Sequence, residues 1–148
     1  MEDLGVIEKL SEPTGWVNSM VTVIKPHKLR ICIDPHDLNH AIRREHHLLP
    51  TVEEIVSQLP NAWVFSILDT SSGLWQIELD DSSSTLCTFN TIFGRYQFKK
   101  LPFGISSAPE VFQKAMTTML KGLDGVECIT DDILVWGMGM VHIWQSSF

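Results

Sequence analysis

Apolar and polar positions change period several times along the chain, and each change predicts an element. The runs WVNSMVTVI at 16–24 and LRICID at 29–34 are β-rich and flank Lys25-Pro26-His27-Lys28, which predicts a hairpin with cationic residues at and beside its tip. Residues 4–10 have the make-up of a short helix, and 37–45 that of a turn or short helix closed by Pro50. Thr51-Val52-Glu53-Glu54 has capping-box spacing, with Thr51 as N-cap and Glu54 at N3. Val52, Ile55, Val56 and Leu59 then share one helical face, and Pro60-Asn61 ends that helix.

Residues 63–68 read as a buried-type strand with Asp69 at its C-terminal edge, and a turn at 70–73 follows. Alternation in Leu74-Trp75-Gln76-Ile77-Glu78-Leu79 predicts a half-buried strand. Residues 86–91 and 95–100 are further strand candidates around Phe93-Gly94. Ser107-Ala108-Pro109-Glu110 opens a second capped helix, whose stripe is Val111, Phe112, Ala115, Met116 and Met119 and whose end is Gly122. Last come 126–129, the acidic tip Thr130-Asp131-Asp132, and 133–136: apolar run, acids, apolar run. This order predicts an α+β domain with helices on one face of a mainly antiparallel sheet. With no internal repeat or low-complexity linker, one domain is the economical expectation.

Composition narrows the class. A chain of 148 residues with 44% hydrophobic and 20% charged positions can bury a core, so disorder is not the expectation. No apolar run is long enough to span a bilayer and MEDLGVIEKL lacks a basic, then apolar, leader, so no membrane span, no secretory signal and an intracellular location are expected. Cys32, Cys87 and Cys128 lie far apart in apolar runs, which fits reduced core thiols better than disulfides or a zinc site. The net charge of −7 speaks against a freestanding nucleic-acid binder. Its distribution softens that objection: Lys25, Lys28, Arg30, Arg43 and Arg44 fall early, Arg95, Lys99, Lys100, Lys114 and Lys121 fall late, and 45–94 holds no Lys or Arg.

Asp69 ends one strand candidate and Asp131-Asp132 sits between two others, so adjacent strands would bring three carboxylates to one sheet end. Such acids repel one another when bare, and hard divalent cations with oxygen ligands relieve the repulsion, which points to phosphoryl transfer. The ordinary alternative is solvated turn and capping chemistry. Against it, FSILD and ITDDILVW set acids directly beside strongly apolar strands. Lys25, Lys28 and Arg30 suit a triphosphate grip or a solvated turn equally, and Leu101-Pro102-Phe103-Gly104 suits either a backbone brought close to something flat or a plain loop. His36 and His40, and His46-His47, read as surface residues; Gln76, Gln97 and Gln113 discriminate nothing.

The runs KLRICIDPHDLNHAI, LPTVEEIVSQL, FSILDTSSGLWQIEL, TFNTIFGRYQFKKLPFGISSAPEVFQKAM and DDILVWG, in this order, resemble the reverse transcriptase of gypsy-type long-terminal-repeat retrotransposon pol polyproteins. The resemblance runs from about Gly5 to Gly137. It implies a right-hand polymerase palm with partial fingers over 1–137 and a divergent C-terminal tail over 138–148. It also implies that Asp69, Asp131 and Asp132 are the catalytic and metal-holding aspartates, serving two magnesium ions (Mg²⁺, with Mn²⁺ able to substitute). Lys25 and Arg30 resemble the residues that hold the phosphates of the incoming nucleotide, Leu74 stands where the family has the aromatic that excludes a ribose 2′-hydroxyl, and Phe103-Gly104 falls on the loop that packs on nucleotide and template. The implied ligands are an RNA or DNA template-primer and deoxynucleoside triphosphates (dNTPs).

The chain departs from the family pattern at Ile129-Thr130, which replaces Tyr-x, at Leu74, which lacks the ring, and at KPHKLR, a short first turn. Past Gly137, MGMVHIWQSSF leaves the pattern, with no thumb or RNase H segment expected to follow. The implied activity is RNA-directed DNA polymerisation by a domain fragment; the rival expectation is a relic or domesticated binding module without catalysis.

Overall fold

The structure is a computed structural model and describes residues 1–25, 28–44, 46–59 and 62–137. The chain forms two compact units, Met1–Arg44 with Ser72–Ala108, and Glu45–Ser71 with Pro109–Phe148.

In the first unit, β1 (Ile7–Leu10) pairs antiparallel with β6 (Gly94–Phe98), which pairs antiparallel with β5 (Thr88–Thr91). β2 (Ser19–Lys25) and β3 (Lys28–Asp34) form the expected hairpin, with Ser19 opposite Asp34 and Lys25 opposite Lys28. Its tip, Pro26 and His27, lies outside the described residues, as do the side chains of Lys25, Lys28 and Leu29. α1 (His36–Ala41) follows β3 and buries Leu38. The core is aromatic: Phe89 lies 5.1 Å from Phe98 and 6.1 Å from Tyr96, ring to ring, and Phe98 is fully buried. Asn18 ties the start of β2 to this sheet; buried, it donates from Nδ2 to the Leu86 and Thr88 carbonyls and accepts from Trp16 Nε1.

Two expectations fail in this unit, and one element is unforeseen. Residues 4–10 are not a helix: Gly5 stands at φ 62° in an opening turn and Ile7–Leu10 is β1. Paired with β6 over its whole length, Ile7–Leu10 satisfies its backbone groups in a ladder. Residues 74–79 do not form one strand either. Gly73–Gln76 is a 3₁₀ turn closed by Trp75 N–H to Ser72 O and Ile77 N–H to Leu74 O, and only the stretch beyond it bonds extended backbone, Leu79 N–H to Lys99 O and Leu101 N–H to Ile77 O. α3 (Asp81–Leu86) went unforeseen because DSSSTL carries no apolar period; Asp80 starts it by accepting from Ser83 N–H at 2.7 Å. That bond leads the causes that hold the Asp80 carboxyl below its ordinary range, and Lys100, bonded to Glu78 at 2.6 Å, does the same to Glu78.

In the second unit, α2 (Val52–Ser57) makes the predicted capping box: Glu54 N–H donates to Thr51 Oγ1 and Thr51 N–H to Glu54 Oε2. Its apolar face is only partly buried, with Ile55 inside but Val52 and Val56 exposed. β4 (Val64–Asp69) pairs antiparallel with β8 (Asp132–Gly137), and β8 with β7 (Val126–Ile129), giving the order β4-β8-β7. The strand expected to be buried is the edge of this sheet, and Phe65, Ile67 and Leu68 are exposed. α4 (Ala108–Met119), all but its first residue in this unit, buries Phe112, Met116 and Gln113 and leaves Met119 exposed. The α+β class with antiparallel pairing holds, with the pairing among the described residues divided over three small sheets in place of one. Cys87 and Cys128 are buried, Cys32 half-buried, and all three are free; burial pushes the Cys87 thiol up to about 12. Among the described residues no helix is long and apolar enough to cross a membrane.

Candidate active site

The three acids gather through backbone pairing within the second unit. The β4–β8 register puts Asp69 directly opposite Asp132, and Asp131 precedes Asp132 in the turn that joins β7 to β8. All three are exposed, and no ion pair joins them among the described residues. Oxygen donors at one sheet end have the chemistry a hard divalent cation takes. Among the described residues, however, no three acid, histidine or cysteine side chains are grouped so that they could hold a metal ion.

The turn itself is unusual. Thr130 has φ 51°, a left-handed conformation that costs a β-branched residue about 1–2 kcal/mol. Bonds from outside the hairpin surround it. The Thr70 N–H and Oγ1 each donate to the Asp131 carbonyl at 2.8 Å. Gln113 of α4, only 1% exposed, accepts from Thr130 N–H at 2.9 Å and donates from Nε2 to the Cys128 carbonyl at 2.7 Å. The Cys128 thiol, raised first by burial and then by the charges of Glu127, Asp131 and Asp132, donates to the Thr130 carbonyl at 3.2 Å.

The residues expected to hold a nucleotide lie in the first unit. Arg30 of β3 sits with its guanidinium 4.5 Å from the centre of the Phe103 ring, and Trp75 meets the same ring edge-on at 6.3 Å. Leu74 is half-buried inside the 3₁₀ turn. The Phe103 carbonyl accepts from Ile33 N–H, and Gly104, at φ 113°, lies so close to β3 that a Cβ there would overlap the Ile33 carbonyl oxygen. The glycine is thus required by the protein's own strand. The structure puts Arg30 and Phe103 together and sets Asp69 opposite Asp132, with Asp131 next in the chain; Lys25 is described only by its backbone pairing with Lys28.

The sequence model described as "Reverse transcriptase (RNA-dependent DNA polymerase)" matches residues 13–144. The chain belongs to the reverse transcriptase family. It is 37% identical over 121 residues to the "Retrovirus-related Pol polyprotein from transposon 412" of Drosophila melanogaster, covering 80% of this chain and 10% of that protein. To the "Enzymatic polyprotein" of Figwort mosaic virus (strain DxS) it is 36% identical over 110 residues, 74% of this chain and 16% of the relative. This reverse transcriptase chain therefore spans a small part of the polyproteins it resembles. In fold it matches a foamy viral protease-reverse transcriptase solved with ds DNA, at TM-score 0.83 and 22% identity over 95% of this chain and 24% of that one.

Three residues around the reverse transcriptase motifs carry no role in the sequence reading: Gln113, which decided nothing there, Thr70 and Trp75. Gln113 had one signal, a polar residue set beside the apolar stripe of α4. Trp75 stood inside a stretch read as a strand, and its Nε1 is buried with no hydrogen-bond partner among the described residues.

Proposed function

We propose that this chain is the fingers-and-palm segment, residues 1–137, of an RNA-directed DNA polymerase from a gypsy-type retrotransposon pol polyprotein, working inside the cell. The observation that carries this reading is the opposition of Asp69 and Asp132 with Asp131 beside them at one sheet end, in a chain of the reverse transcriptase family. In the proposed reaction the primer 3′-hydroxyl attacks the α-phosphorus of a dNTP, a phosphodiester bond forms, and pyrophosphate leaves. Asp69, Asp131 and Asp132 would hold two magnesium ions. Such ions, when bound, lower the pKa of the attacking hydroxyl and offset charge on the phosphoryl oxygens. Lys25 and Arg30 would grip the triphosphate, Phe103 and Gly104 would line the nucleotide, and Leu74 would stand beside its sugar. Arg30 is supported in that role by its place on Phe103, which spares a long flexible side chain part of its ordering entropy. Template-primer, and the thumb and RNase H of the polyprotein, are the proposed partners.

Primer extension on an RNA template with Mg²⁺ or Mn²⁺ tests this, with Asp131→Asn as the control. Product that disappears in Asp131→Asn is the expected result. A folded chain that neither extends a primer nor shows Mn²⁺ broadening of the Asp69 and Asp132 amides overturns it and leaves a binding module without catalysis.

A further inference from the structure

We infer that Gln113 is a positioning residue: its single side-chain amide forces the left-handed turn that presents Asp131 and Asp132. The inference rests on the metal-dependent reading of those aspartates for its consequence, though not for its geometry. The Gln113 amide bridges two backbone groups two residues apart, donating to Cys128 O and accepting from Thr130 N–H. Gln113 and its bond to the Cys128 carbonyl are buried, so that carbonyl would be left unpaired without it, while the bond from Thr130 N–H is part-buried at the rim of the turn. The bridged stretch is the one where Thr130 occupies φ 51°. A threonine does not adopt that conformation unaided, and strained backbone persists only where its surroundings over-determine it.

Geometry makes the effect specific. Thr130 immediately precedes Asp131, so relaxation of its φ toward the ordinary region would swing the acid-bearing backbone away from Asp69. Thr70 fastens the far side of the same turn through the Asp131 carbonyl, leaving Thr130 as the point where the hairpin can give. Gln113 therefore acts on the aspartates without touching anything they bind. Removing it resembles removing an outer partner of a metal ligand, which typically lowers metal affinity about tenfold or more.

The test uses the ¹⁵N-labelled 148-residue chain, read by amide hydrogen exchange and by Mn²⁺ titration. In the wild type, the Thr130 amide and the Gln113 side-chain amide should exchange at least about tenfold more slowly than in an unfolded peptide. Free-peptide exchange at Thr130 in a folded chain overturns the inference, and this measurement needs no variant to fold. Gln113→Met, similar in length but without either polar group, should lose the Thr130 protection and raise the Mn²⁺ midpoint for broadening near Asp69 and Asp132 about tenfold. Adding Thr130→Gly to Gln113→Met should bring the midpoint back to within about threefold of wild type, because glycine takes a positive φ without help. A role confined to core packing would not be rescued this way, so a folded double variant as weak as the single one overturns the inference. If the wild type binds no Mn²⁺ while Gln113→Met still abolishes Thr130 protection, the turn clamp stands and the metal reading falls.

Discussion

Two turns, one in each unit, solve the same problem with different residues. At 104–106 and at 128–130 a single side-chain amide bridges a carbonyl and an N–H two positions apart: Asn39 donates to Gly104 O and accepts from Ser106 N–H, and Gln113 donates to Cys128 O and accepts from Thr130 N–H. Both turns hold a residue at positive φ, Gly104 at 113° and Thr130 at 51°. In the first turn the residue itself permits the conformation, and the Asn39 bonds are solvent-exposed, where water competes and each contributes little. In the second the residue does not permit it, and the Gln113 amide is buried, where a lost partner is expensive. Where conformational freedom is missing from the chain, burial of the clamp supplies the constraint.

The comparison is most severely tested at Gly104. Gly104→Ala should destabilise the protein by about 3 kcal/mol, since the added Cβ meets the Ile33 carbonyl and the positive φ is unsuited to alanine. Urea denaturation measures this, and an unchanged midpoint would mean that the β3 approach is not a real constraint. Thr130→Gly should work in the opposite direction, stabilising by up to about 1 kcal/mol because relief of left-handed strain outweighs the entropy glycine adds to the unfolded chain. A lower midpoint would show that the Thr130 conformation carries no strain, and the contrast between the turns would dissolve.

The smallest effect separates neutral from charged fastening. Both turn clamps are neutral amides, so acid alone should not loosen them. Asp80, which caps α3, has a carboxyl held below its ordinary pKa, so its contribution is fully present above the unfolded value and is lost as pH falls through the folded one. Amide exchange at Ser83 should accelerate, relative to intrinsic rates, as pH drops from about 5 to about 2. The Thr130 amide should show no such change while the fold persists.

Local pattern was a good guide where it was strong and self-consistent. Ile129-Thr130-Asp131-Asp132-Ile133 reads as strand, acidic turn, strand because strongly apolar runs flank the acids, and β7 and β8 form as expected. Thr51 and Glu54 cap α2 through bonds spanning three residues, which a short window contains in full. Where the pattern was weak, distant partners decided. Residues 7–10 became β1 because β6, some ninety positions away, offered a ladder. The alternation at 74–79 was broken by a 3₁₀ turn whose N-cap, Ser72, stands at φ 54°. The apolar run of β4 suggested burial, yet it is an edge strand with Phe65, Ile67 and Leu68 exposed.

By itself the sequence determined family and class and where the acids fall: the ordered motifs from 28 onward, and Asp69 and Asp131-Asp132 at the ends of apolar runs, are local facts of composition and spacing. Tertiary structure alone decided that Asp69 faces Asp132, that Gly104 presses on β3, and that Gln113 reaches the Thr130 turn. Strand register and buried hydrogen bonds join residues remote in sequence, and their energies depend on exclusion of water, which no single stretch of chain can specify.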